Sequence, residues 1–226
     1  MFATLIVALW LASSPTLAAP RPGESASRPP RPVESASRPP RPVESALRRI
    51  ASQETTCTRG PSTCAAIAEF ADRLQAYMRV RQEAARDLPS ERVFDDPADI
   101  LSIRAVLRRA IREARPNARA GDVFTPHAAT AFRHIVATTA AAQGVDPRDI
   151  AHELRADRLP GAKQPAINRP YDWRLGAWMW PALLLELPPL PVELQYRIVD
   201  DDLVLIDLRA SLVVDILEDL MTTDED

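Results

Sequence analysis

The sequence predicts an α+β domain in which three to four helices pack on one face of a three-stranded antiparallel β-meander at the C-terminus. Two observations carry this. A capping residue followed by proline opens a helix three times, at Asp96-Pro97, Thr125-Pro126 and Asp146-Pro147. Beyond residue 193 the hydrophobic period changes from about 3.6 to two.

The first helix begins near Ser62, carries Ile67, Phe70, Leu74, Tyr77 and Met78 on one face, and stops at Leu88-Pro89. In the second, Asp96 caps, Pro97 takes the first helical position, and Ile100, Ile103, Leu107, Ala110 and Ile111 form the inner stripe. The third starts at Thr125-Pro126, runs through Phe132, Ile135 and Val136, and ends at Gly144, while a short fourth opens at Asp146-Pro147 and ends before Pro160. From Pro160 to Pro191 seven prolines predict an ordered coil without regular structure.

Three strands follow: Leu194 to Val199, Leu203 to Leu208, and Leu212 to Ile216 or Leu217. Reading Asp200 to Asp202 as a three-residue turn pairs Val199 with Leu203. That register gathers Leu194, Tyr196, Ile198, Val204, Ile206, Leu208, Leu212, Val214 and Ile216 on a uniformly apolar face, which must meet the helices. The opposite face mixes Gln195, Arg197, Val199, Leu203, Leu205, Asp207, Val213, Asp215 and Leu217. It is too apolar to stay bare, and the proline-rich segment is expected to cover part of it.

The 226 residues include 22 Pro but only 6 Gly, none closer than 15 residues to another. Phosphate-cradling loops need two or three glycines within a few residues, so a Rossmann or P-loop nucleotide enzyme is excluded. Residues 1–18 read as a signal peptide with an apolar run from Phe2 to Ala12 and a cleavage site near Ala18. The alternative is an uncleaved N-terminal membrane anchor, although the run is about half the roughly twenty residues that span a bilayer. Residues 19–55 form a linker of ten-residue repeats (PRPGESASRP, PRPVESASRP, PRPVESALRR) with seven Arg against three Glu in the repeats. Such composition gives a disordered, polyproline-like arm. The globular domain covers 56–221, and 222–226 form an acidic tail. No helix of the mature chain is expected to cross a membrane.

Cys57 and Cys64 suit a disulfide that closes a small loop before the first helix, provided the compartment is oxidising. Four other sets of residues are candidates for function. Asp207 and Asp215, diagonal neighbours in the register above with Arg197 beside them, have the composition of a general acid/base pair with an oxyanion-stabilising guanidinium, and equally of a surface salt-bridge cluster. Arg104, Arg108, Arg112 and Arg115, continued by Arg119 with Arg109 beside them, recur at three- and four-residue steps as a basic stripe opposite the apolar one. It suits an anionic partner or a plain solvated face. Tyr171, Trp173, Trp178 and Trp180 are dense enough to stack on a glycan or form an interface, or to act as a lid over the sheet. His127 and His134, seven apart on one helix, stand roughly 10 Å from each other along its axis and cannot share one metal ion. Neither a metal nor a cofactor is predicted.

QYRIVDDDLVLIDLRASLVVDIL (Gln195 to Leu217), preceded by LPPLPVEL (Leu187 to Leu194), and GDVFTP (Gly121 to Pro126) resemble a family of bacterial exported proteins of unknown function. The resemblance implies the compartment and the limits of the domain, and no activity. Combined with the residue-level reading, the expectation is a periplasmic or secreted, non-enzymatic binding domain on a proline-rich arm, with a cell-envelope protein, glycan or anionic lipid surface as partner and nucleic acid disfavoured. The alternative is a periplasmic hydrolase using Asp207 and Asp215.

Overall fold

The computed structural model describes Cys57 and residues 59–89, 96–156, 163–172 and 179–221. The expected leader, repeat arm and acidic tail, together with Trp173 and Trp178, lie outside these residues. Among the described residues five helices precede a C-terminal sheet: α1 (Pro61–Ala84), α2 (Pro97–Ala114), α3 (Pro126–Gln143), α4 (Pro147–Ala156) and α5 (Pro181–Glu186), then β1 (Leu194–Val199), β2 (Asp202–Asp207) and β3 (Leu212–Leu217). The strands pair β1-β2-β3, both pairs antiparallel. The fold is therefore the expected α+β arrangement, with one helix, α5, among the described residues that the sequence did not indicate.

The predicted caps are formed. The Asp96 side chain accepts from the Ala98 N–H, Thr125 accepts from that of Ala128, and Gly144 ends α3 in the left-handed region at φ 66°. The additional helix, α5, corrects the expectation of continuous coil between Pro160 and Pro191. Pro181 occupies its first turn, where a missing N–H costs nothing, and Leu183 anchors it with no exposed surface. It stops at Leu187, whose extended backbone (ψ 151°) is the conformation imposed on a residue before proline.

Helix α1 supplies the centre of the core through Phe70, Leu74 and Met78, and Phe70 meets Phe124, Phe132 and Tyr196 at ring-centroid distances of 5.6, 5.0 and 6.5 Å. The sulfurs of Cys57 and Cys64 stand 2.11 Å apart, at disulfide distance, and the pair sits at the N-terminal end of this helix.

The register of the first hairpin differs from the expected one by a residue. Val199 pairs with Asp202 and Ile198 with Leu203, so the turn holds only Asp200 and Asp201. Asp200 adopts φ 56°, a left-handed conformation that Asp tolerates better than most residues. The slip exchanges the two sides of β2. Leu203, Leu205 and Asp207 now accompany Leu194, Tyr196 and Ile198 toward the helices, and Val204 and Ile206 turn away. A bulge follows in β3, where Leu205 pairs with Asp215 and Ile206 with Val213, which leaves Val214 without a ladder partner.

On the far side of the sheet Ile167 and Tyr171 cover Val199, Val204, Ile206 and Val213, as expected of the proline-rich segment. The same segment runs along the free edge of β3: Asn168 N–H donates to Val213 O, Val213 N–H to Arg169 O, and Tyr171 N–H to Ser211 O. These bonds satisfy an edge that would otherwise be a template for pairing with another chain.

Candidate functional site

Asp207 and Asp215 were expected on the outer sheet face beside Arg197. The structure instead buries both carboxylates completely on the helix-facing side. Arg197, paired with Val204, points to the opposite, segment-covered side, where burial lowers its pKa below the usual guanidinium value. The three groups are therefore not brought together. A register chosen to keep every polar group off the core fails here because each carboxylate has its own internal partners.

Asp207 is held mainly by side chains of α1. Its Oδ2 accepts from Arg81 Nε at 2.6 Å and from Tyr77 Oη at 2.9 Å, and its Oδ1 accepts from the Ala210 N–H at 2.8 Å in the turn after β2. Arg81 is itself only 4% exposed and lies 3.8 Å from Glu193. Sequence reasoning missed it, yet a signal was present. Arg81 continues the spacing of Leu74, Tyr77 and Met78, so an ionised group stood within the apolar stripe. Burial, reinforced by the neighbouring Asp207 charge, raises the Tyr77 pKa well above that of a free phenol, and the Arg115 guanidinium lies over the same ring at 5.1 Å.

Asp215 is held by backbone. It accepts from the N–H groups of Gly121 at 3.1 Å, Val123 at 2.6 Å, Phe124 at 2.8 Å and its own neighbour Ile216 at 2.9 Å. Burial raises its pKa and these four donors oppose the rise. The GDVFTP segment thereby acquires a physical role. Gly121 supplies φ 85°, Val123 and Phe124 enter the core, Thr125 caps α3, and Pro126 begins it.

The arginines of α2 are also placed differently from expectation. Only Leu107 and Ile111 of this helix are fully buried, and the arginine stripe lies beside that narrow apolar line rather than opposite it. At 100° per residue Arg104, Arg108, Arg112 and Arg115 keep to one flank. Two of them reach the sheet. Arg108 donates to Ala210 O at 3.1 Å, and Arg115 donates through both terminal nitrogens to Val214 O, the carbonyl of the bulge residue. Arg115 also pairs with Asp122 at 3.5 Å. Arg109, on the outer surface, bonds Glu113 at 2.8 Å.

Arg112 differs from these. It borders an open groove of about 600 Å³ lined by Arg109, Arg112, Glu113 and Pro116 at the end of α2, by Ala118, and by Ile167, Asn168 and Arg169. Among the described residues neither Arg112 nor Arg169 has an ion-pair partner. Asn168, at φ 57°, donates through Nδ2 to Arg115 O at 2.9 Å, while the Arg115 N–H bonds Ile111 O and Arg112 O. Two carbonyls of the last turn of α2 and that of its C-cap residue Arg115 are thus occupied, which removes part of the negative field a helix C-terminus would direct into the groove. Arg169 and Asn168 were not foreseen, because they lie some fifty residues from α2 in a segment read only as coil.

The aromatic set does not assemble as a surface among the described residues. Tyr171 is buried beneath the outer sheet face, and Trp180 packs against the main core beside α5. Of the histidines, His127 has its Nδ1 3.2 Å from Glu69 Oε2. Among the described residues there is no group of three or more His, Cys, Asp or Glu that would hold a metal ion. No helix among them is long and apolar enough to cross a membrane. No family model, curated protein or solved structure matches the chain.

Proposed function

We propose that the chain is an exported, envelope-associated binding domain without catalytic activity, carried on a proline-rich arm and delivered to the periplasm or beyond by cleavage near Ala18. The observation that supports this reading is the groove at the end of α2. It is lined by Arg112 and Arg169, which have no ion-pair partner among the described residues and suit an anionic partner, whereas the carboxylates that a hydrolase would use are fully buried in structural roles. A partner bearing negative charge in the cell envelope, whether protein, acidic glycan or anionic lipid, matches that lining. The arm provides reach, and its own positive charge favours the same anionic surroundings.

Co-sedimentation of the mature chain with bacterial membrane fractions tests the reading. Retention that falls with added salt and is lost in Arg112→Gln is the expected result. Absence of retention, combined with no cross-linked envelope product, would remove the binding reading. N-terminal sequencing of the secreted form checks the cleavage site separately.

A further inference from the structure

We propose that the groove between the end of α2 and the 167–169 segment binds a phosphate monoester, with Arg112 and Arg169 as its two anchoring forks. The inference rests on the groove being the binding site and adds the chemical class of the ligand. Three arginines, Arg109, Arg112 and Arg169, line the groove against one acidic residue, Glu113, and Glu113 is already bonded to Arg109. The two remaining cations come from separate segments of the chain.

The match of charge and shape selects phosphate over carboxylate. A guanidinium binds oxyanions through parallel N–H donors, so two guanidiniums present two such forks. A carboxylate has two oxygens and one charge, enough for one fork. A phosphate monoester offers three terminal oxygens and a charge of about −1.5 to −2 at pH 7, enough for both. Asn168 and the Arg115 N–H occupy carbonyls at the end of α2 that would otherwise repel the anion. At about 600 Å³ the groove is larger than the phosphate itself, so the organic part of the ester lies in it as well, against Pro116, Ala118 and Ile167.

Phosphorylated sugars and lipid headgroups share this chemistry, and two probes separate them. Glucose 1-phosphate is titrated calorimetrically into the full chain, and vesicles of phosphatidylcholine with and without phosphatidic acid are tested by flotation. Saturable binding to either probe that weakens about tenfold or more in both Arg112→Gln and Arg169→Gln, as expected on losing a charge-assisted hydrogen bond, supports the site. Glucose 1-phosphate then identifies a soluble ester, and vesicle binding alone a headgroup. Arg79→Gln, on the exposed face of α1, should change nothing. If a Gln variant is not folded by circular dichroism, Arg112→Lys and Arg169→Lys serve instead: the charge is kept, the fork is lost, and binding must still weaken.

Equal affinity for succinate, affinity unchanged in the variants, or binding to neither probe overturns the assignment. Membrane retention that needs Arg112 without binding to either phosphate probe overturns the phosphate class alone and leaves the binding domain intact. Loss of both removes both readings.

Discussion

The helix-facing side of the sheet buries two carboxylates, Asp207 on β2 and Asp215 on β3, and balances them by different means. At Asp207 a full opposite charge comes from α1, 126 residues earlier, with a phenol beside it. At Asp215 the bonded donors among the described residues are four backbone N–H groups and no cation, three of them from the loop that opens α3. The first is an ion pair, which ties a helix to the sheet and becomes a liability when half of it is removed. The second is an array of dipoles, which ties down a loop and degrades bond by bond. Both sites position the domain; neither is open to a solute.

The largest expected effect comes from breaking the ion pair on one side. Asp207→Asn leaves Arg81 buried without its main counter-charge and should lower unfolding stability by about 3–5 kcal/mol, read from the urea midpoint at constant slope. Glu193, 3.8 Å from Arg81, keeps the loss toward the lower end. Replacing both partners, Arg81→Met with Asp207→Leu, should recover most of it, since an apolar pair requires no desolvation of charge. A single variant as stable as the wild type would mean that Arg81 escapes to solvent.

Asp215→Asn comes next, with an expected loss of about 1–3 kcal/mol, because one oxygen remains to accept while the new amide N–H₂ faces N–H donors. Loss of protection from hydrogen exchange should be confined to Gly121, Val123, Phe124 and Ile216, whereas for Asp207→Asn it should reach α1. Tyr77→Phe is smaller still, about 1 kcal/mol, since Asp207 Oδ2 keeps Arg81 when the phenol is gone.

This contrast also marks how far the sequence could be read. Helix starts were legible because Asp96-Pro97 and Thr125-Pro126 are local chemistry, acting within four residues of where they stand. Strand positions were legible from the period of two. The register is not, because the rule that polar groups leave the core does not hold for Asp207 and Asp215: a buried carboxylate is stable where its partners are supplied. Those partners lie 91 to 130 residues away in Gly121, Val123, Phe124, Tyr77 and Arg81. The groove was half legible for the same reason. Arg112 appeared in a helical repeat of arginines, but nothing local distinguished it from Arg108 or Arg115, which are spent on Ala210 O and Val214 O. Arg169 joins it only after the proline-rich segment has followed the edge of β3.

The smallest expected effect decides which force prevails at Asp215. Burial raises its pKa in the folded chain and the four N–H donors pull it down, with burial the larger cause. A folded pKa above the unfolded value, which lies near 3.9, means that between the two the native state holds a proton the unfolded chain lacks. Stability then rises as pH falls through that window and levels off below the unfolded pKa. Asp215→Asn has no such proton. The wild type should therefore gain on this variant as the pH is lowered from about 7 to about 4, whatever the other carboxylates contribute to both. Asp202, also raised by burial but partly exposed, titrates in both proteins and cancels in the comparison. A wild type that instead loses ground on acidification would show that four aligned dipoles outweigh desolvation, and that the loop before α3 is held by an ionised rather than a protonated Asp215.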